Sequence, residues 1–166
     1  MSVQGAVTIC IGRRRTGKTT FSKKLLEKKP KKMPVFIYDI NNEYNDYYNE
    51  PFIDFDKFLD KIVKLKHSYI LIEEATIFFN TRSTEQEILN LMVRARHTGN
   101  IIQLNFHSFA SVPKYIKNLI DFVVIFKTND NIKDVKDRIE DEKIISIWEN
   151  IKLSPNPYEM KVCSLY

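Results

Sequence analysis

The sequence predicts an α/β fold in which a mainly parallel central sheet is flanked by helices. The chain has 166 residues, which suits a single domain, residues 1–166, with a hydrophobic core of its own. Short apolar runs of strand length recur along the chain. Helical or loop segments follow each run, and this alternation is typical of parallel strands joined by covering helices.

Five apolar runs have the length and composition of buried parallel strands. They are AVTICI (6–11), VFIY (35–38), YILI (69–72), IIQLNF (101–106) and FVVIF (122–126). Helical segments are predicted over 18–29, 54–65, 84–97 and 112–119. Ser83 and Gln86 have the spacing of a capping box at the start of the third helix.

The last part of the chain is more polar. After Lys127 we expect helices over 132–139 and 143–150, then a proline-rich turn, and a last strand in YEMKVCSL. No stretch has the composition of a linker, so the sequence predicts one domain and no second unit.

The composition narrows the class of protein. The start, MSVQGAVTICIGRRR, lacks the layout of a signal peptide, and no apolar run is long enough to cross a membrane. Cys10 and Cys163 suggest neither a disulfide framework nor a metal site. We therefore expect a reduced, cytoplasmic protein without a membrane span.

Charge is unevenly distributed along the chain, whose net charge is +5. Residues 13–32 hold ten Lys or Arg and one acid, Glu27, whereas residues 39–60 hold seven acids and one base, Lys57. This asymmetry fits a polyanionic partner on one side of the molecule. A solvated helix face in a lysine-rich protein explains the lysines equally well.

The segment GRRRTGKTT, which follows the first strand and opens the first helix, fits the phosphate-loop pattern G-x4-G-K-[ST]. Glycines let such a loop curl so that its N–H groups point at phosphate oxygens, and the helix N-terminus adds positive charge. Lys18 is expected to reach the β- and γ-phosphates, and the Thr19 hydroxyl to bind Mg²⁺. The predicted cofactors are therefore ATP and Mg²⁺.

The whole loop and the start of its helix supply the candidate nucleotide-binding residues: Gly12, Arg13, Arg14, Arg15, Thr16, Gly17, Lys18, Thr19 and Thr20. The backbone of such a loop holds the phosphates, so its variable side chains mostly project away from them. The sequence leaves open whether the three arginines face solvent, a neighbouring subunit, DNA or the bound nucleotide.

An acidic pair ends the third strand in YILIEEA (69–75). Parallel α/β sheets bind ligands at the carboxyl ends of their strands, so this pair should face the phosphate loop. Successive strand residues point to opposite sides, which separates the two roles. Glu73 is expected to hold the hydration shell of Mg²⁺, and Glu74 to orient or deprotonate the attacking water.

Three further segments extend the pattern along the chain. They are YDINNEY, with Asp39, Glu43 and Tyr44, after the second strand; RHTG, with Arg96, at the end of the helix that follows the acidic pair; and NIIQLNFHS, with His107 at the end of the fourth strand. With the phosphate loop, these segments resemble the FtsK–HerA superfamily of DNA-pumping ATPases. The resemblance is closest to small viral genome-packaging ATPases and to the ATPase part of zonula-occludens-toxin-like phage proteins, and it implies a RecA-like P-loop NTPase fold.

The resemblance also implies roles for single residues. Arg96 matches the trans-acting arginine, which neutralises charge on the transferred phosphoryl group of a neighbouring subunit, and His107 occupies the position of the polar sensor. Arg94 lies about 200° from Arg96 around a helix, so the two cannot share a face. The family usually has Asp where this chain has Glu73. Asp39 and the nearby Glu43 either support water and ions or line a solvated loop.

The function implied by these features is an ATP-hydrolysing motor that translocates double-stranded DNA and packages a viral genome. An arginine acting on a neighbour's ATP requires a homo-oligomeric ring, a pentamer or hexamer in this reading. DNA would be held through its backbone phosphates, independently of sequence, by Lys23, Lys24, Lys28, Lys29 or the loop arginines. A capsid vertex protein is a further expected partner, which would associate the motor with the virion.

Two other functions share the phosphate loop. A P-loop kinase would transfer phosphate to a nucleoside or small metabolite as its acceptor. Such an enzyme has no need of the water-activating pair Glu73–Glu74. A nucleotide-dependent assembly switch would bind ATP and scarcely hydrolyse it. Phosphate release with and without long duplex DNA distinguishes the three.

Overall fold

The computed structural model describes residues 4–47 and 54–165, and these form one mixed α/β unit around a six-stranded sheet. The strands are β1 (Ala6–Ile11), β2 (Val35–Tyr38), β3 (Tyr69–Ile72), β4 (Ile101–Phe106), β5 (Phe122–Ile125) and β6 (Lys161–Ser164). Their order across the sheet is β2-β3-β4-β1-β5-β6. The first five are parallel, and β6 runs antiparallel to β5. The predicted fold class is confirmed.

The helices that connect the strands agree with the sequence except in detail. They are α1 (Lys18–Lys28), α2 (Phe55–Ile62), α3 (Arg82–Thr98), α4 (Ile132–Ile139) and α5 (Glu142–Leu153), with 3-10 helices at Ala75–Phe79 and Lys114–Leu119. The α-helix predicted over 112–119 is wrong: a short 3-10 helix, Lys114–Leu119, lies there between the extended residues Pro113 and Ile120.

The capping box predicted from Ser83 and Gln86 is also wrong. Helix α3 already begins at Arg82, with Thr81 in an extended conformation before it and without a side-chain cap hydrogen bond. The hydroxyl of Thr84 instead donates to the carbonyls of Phe78 (3.0 Å) and Thr81 (3.1 Å). These bonds tie the first turn of α3 to the preceding 3-10 helix, which the local sequence pattern does not reveal.

Helices cover both faces of the sheet. One face carries α1, whose Leu26 packs with Ile37, Tyr69 and Leu71 of the sheet. The opposite face holds the main core, to which α2, α3, α4 and α5 contribute their buried apolar residues. Among the residues described, no helix is both long enough and apolar enough to cross a membrane.

The order of the strands determines where the site lies. Strands β3, β4 and β1 are adjacent and parallel in the middle of the sheet. Their carboxyl ends lead directly into Glu73, His107 and the loop that starts at Gly12. Parallel strands bring such segments to one edge of a sheet, which is where open α/β folds bind their ligands. Residues 48–53, within the acidic stretch 39–60, lie outside the described residues.

Candidate nucleotide-binding site

The loop after β1 has the shape of a phosphate cradle. Gly17 precedes α1 with φ 98°, a conformation that favours glycine. At Gly12, a Cβ atom would lie 2.5 Å from Cβ of Phe126, so the close approach of these two segments requires glycine. The Thr16 hydroxyl donates to the Arg13 carbonyl at 2.8 Å and closes the loop on itself.

Lys18 lies inside this loop as the phosphate-loop pattern predicts. Its Nζ donates to the carbonyl oxygens of Gly12, at 2.5 Å, and Arg13, at 3.0 Å. Burial lowers the pKa of Lys18, and the nearby carboxylates of Glu73 and Glu74 act in the opposite direction. In this state the ammonium group is bonded to its own loop, at the position where phosphate oxygens would compete for it.

The three loop arginines divide into two sets. Arg14 and Arg15 line the same cavity as Lys18, and Arg15 adopts a left-handed backbone with φ 63°. Arg13 instead donates through Nη1 to Asn129 Oδ1 at 3.2 Å. All three side chains are exposed, and Arg14 also borders a second recess with Arg13, so whether they face the nucleotide, DNA or a neighbouring subunit stays a prediction.

Glu73 is buried at the end of β3, with its carboxyl group bonded on the protein side. Its Oε1 accepts hydrogen bonds from the Tyr44 hydroxyl and from Asn105 Nδ2, the latter at 2.7 Å. Burial raises the pKa of Glu73, although both hydrogen bonds and the charge of Lys18 favour the ionised form. Because both bonds end on Oε1, Oε2 is the oxygen with which Glu73 can contact water or a metal ion's water shell.

A buried hydrogen-bond network holds Asn105 in the orientation that serves Glu73. Gln103 Nε2 donates to Asn105 Oδ1 (2.9 Å) and to Ser22 Oγ (2.6 Å). Gln103 Oε1 accepts from the Tyr69 hydroxyl at 2.6 Å. With its oxygen engaged by Gln103, Asn105 can only direct its NH₂ group toward Glu73. The network therefore links α1 and the central strands to Glu73.

Glu74 faces a different partner from Glu73, but strand alternation is not the reason, because β3 ends at Ile72 and Glu74 lies in the turn after it. Its backbone is left-handed, with φ 54° and ψ 45°, a conformation that costs about 1–3 kcal/mol for a residue with a side chain. Its carboxylate lies 2.6 Å from His107 Nε2. Since a carboxylate only accepts, Nε2 carries the proton of this bond. His107 Nδ1 is the buried side-chain atom without a hydrogen-bond partner in the described part of the chain.

The segment after β2 completes the site from one side. Asp39 is buried and accepts from the backbone N–H groups of Glu43 (3.0 Å) and Tyr44 (2.9 Å). This turn directs the Tyr44 hydroxyl to Glu73. It also brings Glu43 Oε2 to 3.3 Å from the Thr19 hydroxyl. Asp39 is therefore a residue that shapes the loop, whereas Glu43 lines the cavity.

The oxygen atoms here fit a magnesium ion. Thr19, Glu43 and Glu73 supply hydroxyl and carboxylate oxygens, the ligands that Mg²⁺ prefers, beside a phosphate loop. In residues 4–47 and 54–165 no cluster of three or more His, Cys, Asp or Glu side chains is able to hold a metal ion by itself. Mg²⁺ commonly binds through one or two protein oxygens together with substrate phosphates, so this donor set suits it.

These groups surround one open cavity of about 570 Å³, within the roughly 300–1,000 Å³ typical of small-molecule sites. Its lining residues are Arg14, Arg15, Gly17, Lys18, Thr19, Thr20, Asn41, Glu43, Glu73, Glu74, His107 and Tyr158. The sequence did not indicate Asn41 or Tyr158. Tyr158 follows the proline-rich turn before β6, and only its position in the fold brings it to the phosphate loop.

Arg96 lies at the opposite edge of the sheet. It borders a recess lined by Gln4, Ala6 and Phe122, next to the amino ends of β1 and β5. Its Nη2 forms an ion pair with Asp121 Oδ1. A strand of six residues separates the two edges by about 20 Å, so Arg96 cannot contact a nucleotide in its own cavity. Its predicted action on a neighbouring subunit stays a prediction.

The parallel sheet, the G-x4-G-K-T loop and the acidic pair at the carboxyl edge define a P-loop NTPase fold. The chain belongs to the zonular occludens toxin (Zot) family, whose model matches residues 23–146. That match begins just after the phosphate loop, so the loop and the family model are independent indications. No curated protein matches the chain.

Solved structures show the same fold over nearly the whole chain. The DNA-packaging ATPase B204 of Sulfolobus turreted icosahedral virus has a TM-score of 0.76 and 18% identity, with 98% of this chain and 94% of that chain covered. For the genome-packaging NTPase B204 of Sulfolobus turreted icosahedral virus 2, in complex with ATP-gammaS, the TM-score is 0.75 and the identity is 17%, with 97% of this chain and 92% of that chain covered. For a KaiC-like protein of Pyrococcus horikoshii, the TM-score is 0.51 and the identity is 17%, with 78% of this chain and 76% of that chain covered.

Proposed function

We propose that this chain is an ATP-hydrolysing motor that moves double-stranded DNA, and that the DNA is a viral genome being packaged. The observation that carries the proposal is the cavity in which Lys18 and Thr19 face Glu74, itself bonded to His107. A phosphate-binding lysine opposite a carboxylate is the arrangement required for NTP hydrolysis. Similarity of fold to viral packaging ATPases supports DNA as the object that is moved.

In the proposed reaction the chain's own residues orient the phosphates and the water. Lys18 exchanges its bonds to the loop carbonyls for bonds to β- and γ-phosphate oxygens. Glu74 orients the attacking water or accepts its proton, and His107 fixes the position of that carboxylate. Mg²⁺, when bound through Thr19, would offset the charge that develops on the phosphates.

A ring assembly is part of the proposal. Arg96 is exposed over 55% of its side chain, at the edge of the sheet away from its own cavity. It can therefore contribute to hydrolysis only at the cavity of another subunit, through a head-to-tail contact that closes into a ring. In that contact the Arg96 guanidinium would bind the neighbour's phosphates, either in place of its ion pair with Asp121 or in addition to it.

Duplex DNA is proposed to bind the basic surface around α1. Lys24, Lys28, Lys31 and Lys32 are exposed there. Lys23 is partly covered, and its Nζ lies 5.7 Å from the ring centre of Tyr44, so it is the weaker candidate. Lysines in this arrangement neutralise backbone phosphates and release counterions without reading the base sequence.

The deciding experiment measures phosphate release with and without long duplex DNA, over a series of salt concentrations. We expect stimulation that is independent of DNA sequence and that declines as salt increases. Each phosphate contact should contribute about −0.9 to the slope of log affinity against log salt concentration. Lys24→Glu/Lys28→Glu should weaken the stimulation and reduce the salt slope by about two. The matched control is Lys64→Glu/Lys66→Glu, which reverses two charges near the end of α2.

Two outcomes would overturn the motor. Phosphate transfer that depends on a small hydroxyl acceptor and ignores DNA indicates a kinase. Tight ATP binding with scarcely any turnover, in the presence or absence of DNA, indicates a nucleotide-dependent switch. The placement in the FtsK–HerA superfamily stays a prediction that DNA-stimulated turnover would support.

A further inference from the structure

We propose that Tyr158 forms the nucleobase subsite of the cavity, where its ring stacks on the base of the bound nucleotide and accepts adenine and guanine alike. This inference rests on the nucleotide-binding part of the proposed function, but it requires neither DNA nor a ring. It concerns a residue that lies 140 positions after Lys18 in the chain and that no sequence pattern connects to the phosphate loop.

The first argument is the place of the ring. Tyr158 lines the same cavity as Lys18, next to the start of α1. A Cβ atom built on Gly17 would lie 3.8 Å from Tyr158 Cδ1 and 4.0 Å from Phe126 Cε1. The ring therefore borders the glycine at which the phosphate loop turns into the helix. A ligand held by its phosphates at this loop extends its remaining part within reach of that ring.

The second argument is the exposure of the ring. Tyr158 is 65% exposed, whereas a tyrosine that served only packing would bury most of its ring. Covering an exposed aromatic surface inside a cavity with a flat ligand lowers the free energy of the complex. Purine bases offer such a flat π-face, and stacking on an aromatic side chain is worth about 1–3 kcal/mol per base.

The third argument is the division of the cavity into two kinds of chemistry. Lys18, Glu74 and His107 supply the charged groups suited to phosphates and water. Among the described residues that line the cavity, Tyr158 is the one Phe, Tyr or Trp side chain, whereas the His107 imidazole is engaged with Glu74. A nucleoside triphosphate has the same two parts, a charged chain and an aromatic base, so its base matches the aromatic surface.

The fourth argument is that the backbone that carries the ring is held in advance of binding. Tyr158 N donates to Asn156 Oδ1 at 3.0 Å, and Asn156 N donates to Ser154 Oγ at 3.2 Å. Lys127 Nζ in turn donates to the carbonyl of Ser154. This chain of bonds fixes the turn before β6, so less conformational entropy is lost when a base stacks on the ring.

Stacking also predicts the base preference. The π-face that Tyr158 would contact is common to all bases, and stacking sites are tolerant of base identity for that reason. A subsite that discriminated adenine from guanine would instead present hydrogen-bond groups to the base edge. We therefore expect ATP and GTP to bind the full chain with affinities within a few-fold of each other.

The experiment titrates the full chain with ATP, GTP and inorganic triphosphate by calorimetry. Tyr158→Ala should weaken binding of ATP and of GTP about tenfold, the effect of losing a stacking partner, and leave inorganic triphosphate unchanged. Tyr158→Phe keeps the ring and should restore the affinity for both nucleotides. Tyr115→Ala is the matched control, since Tyr115 is also half-exposed but lies outside the cavity.

The outcomes separate the subsite from the function on which it rests. Equal weakening of nucleotides and inorganic triphosphate would mean that Tyr158 only shapes the phosphate loop, and unchanged ATP affinity in Tyr158→Ala would remove the subsite. If the unmodified chain binds inorganic triphosphate but neither nucleotide, the subsite also fails. Nucleotide affinity that depends on Tyr158 in a chain that DNA does not stimulate would support the subsite and overturn the motor.

Discussion

The two edges of the sheet carry charged residues in opposite states. At the carboxyl edge, Lys18 is bonded to carbonyls of its own loop, and the buried Nδ1 of His107 has no partner among residues 4–47 and 54–165. At the amino edge, Arg96 pairs with Asp121, whose second oxygen accepts the Val7 N–H at 2.8 Å. The carboxyl edge therefore presents groups that a ligand can engage, whereas Arg96 and Asp121 at the amino edge are already paired with each other.

The strongest test of the carboxyl edge is Lys18→Ala. Removing the ammonium group from the β- and γ-phosphates should reduce hydrolysis by at least about 100- to 1,000-fold, measured as phosphate release at saturating ATP. Circular dichroism and thermal melting should show a folded protein. A folded Lys18→Ala chain with near-normal turnover would contradict the assignment of the cavity to a nucleotide.

The next test asks whether the two edges act together across subunits. Arg96→Ala should bind nucleotide normally and hydrolyse it about 1,000-fold more slowly, as expected for loss of a trans-acting arginine. Mixed with Lys18→Ala, it should recover part of the activity, because intact arginines then face intact pockets. The readout is phosphate release at a series of mixing ratios, with co-assembly verified by pull-down.

Two control variants isolate the arginine from its ion pair. Asp121→Asn removes the negative charge that pairs with Arg96 but keeps Arg96 and a side chain of nearly the same shape at this largely buried position. Arg94→Ala removes a cation from the other side of α3, where Arg94 borders Val63 and Leu91. Both controls should retain hydrolysis. If Arg96→Ala is fully active, or if Asp121→Asn is as inactive as Arg96→Ala, the amino edge has only a structural role.

The acidic pair at the carboxyl edge should separate into two functions. Glu74→Gln keeps the shape of the side chain but removes the base, so hydrolysis should decrease about 100- to 10,000-fold while ATP binding persists. Glu73→Gln should mainly weaken binding that depends on Mg²⁺, measured by titrating nucleotide with and without the metal. Normal hydrolysis by Glu74→Gln together with loss in Glu73→Gln would mean that the two roles are reversed.

The sequence predicts the parts of this site that depend on local spacing. The phosphate loop follows from four residues within eight positions, and Glu73 and Glu74 follow from the end of an apolar strand in a parallel sheet. These inferences use only the chain's local pattern and the rule that parallel strands end at one edge. The five parallel strands were predicted for the same reason.

Contacts between distant segments could not be predicted in this way. The bond from Tyr44 to Glu73 joins residues 29 positions apart, and it depends on the turn that Asp39 holds. Tyr158 reaches the cavity only because β6 pairs antiparallel with β5. The directions of Arg14 and Arg15 depend on the backbone angles of the loop. The left-handed conformation of Arg15, with φ 63°, does not follow from the identity of the residue. Periodicity contains no information about such long-range packing.

The smallest expected effect concerns the stability of the carboxyl edge itself. Burial raises the pKa of Glu73 above its ordinary value, so the folded chain holds this proton more tightly than the unfolded chain does. As pH increases through the ordinary pKa of a glutamate, the carboxyl group of the unfolded chain ionises first, and the folded state loses stability relative to the unfolded state.

Gln at position 73 keeps the acceptor oxygen for Tyr44 and Asn105 without the buried charge. Glu73→Gln should therefore melt like the unmodified chain at about pH 4 and at a higher temperature at about pH 7, measured in EDTA without nucleotide. Glu149→Gln, at an exposed position on α5, should show no such widening difference. A Glu73→Gln chain that melts at a lower temperature at neutral pH would show that the pairing of Glu73 with Lys18 outweighs its burial. The edge would then be stabilised by the same charges that it offers to the ligand.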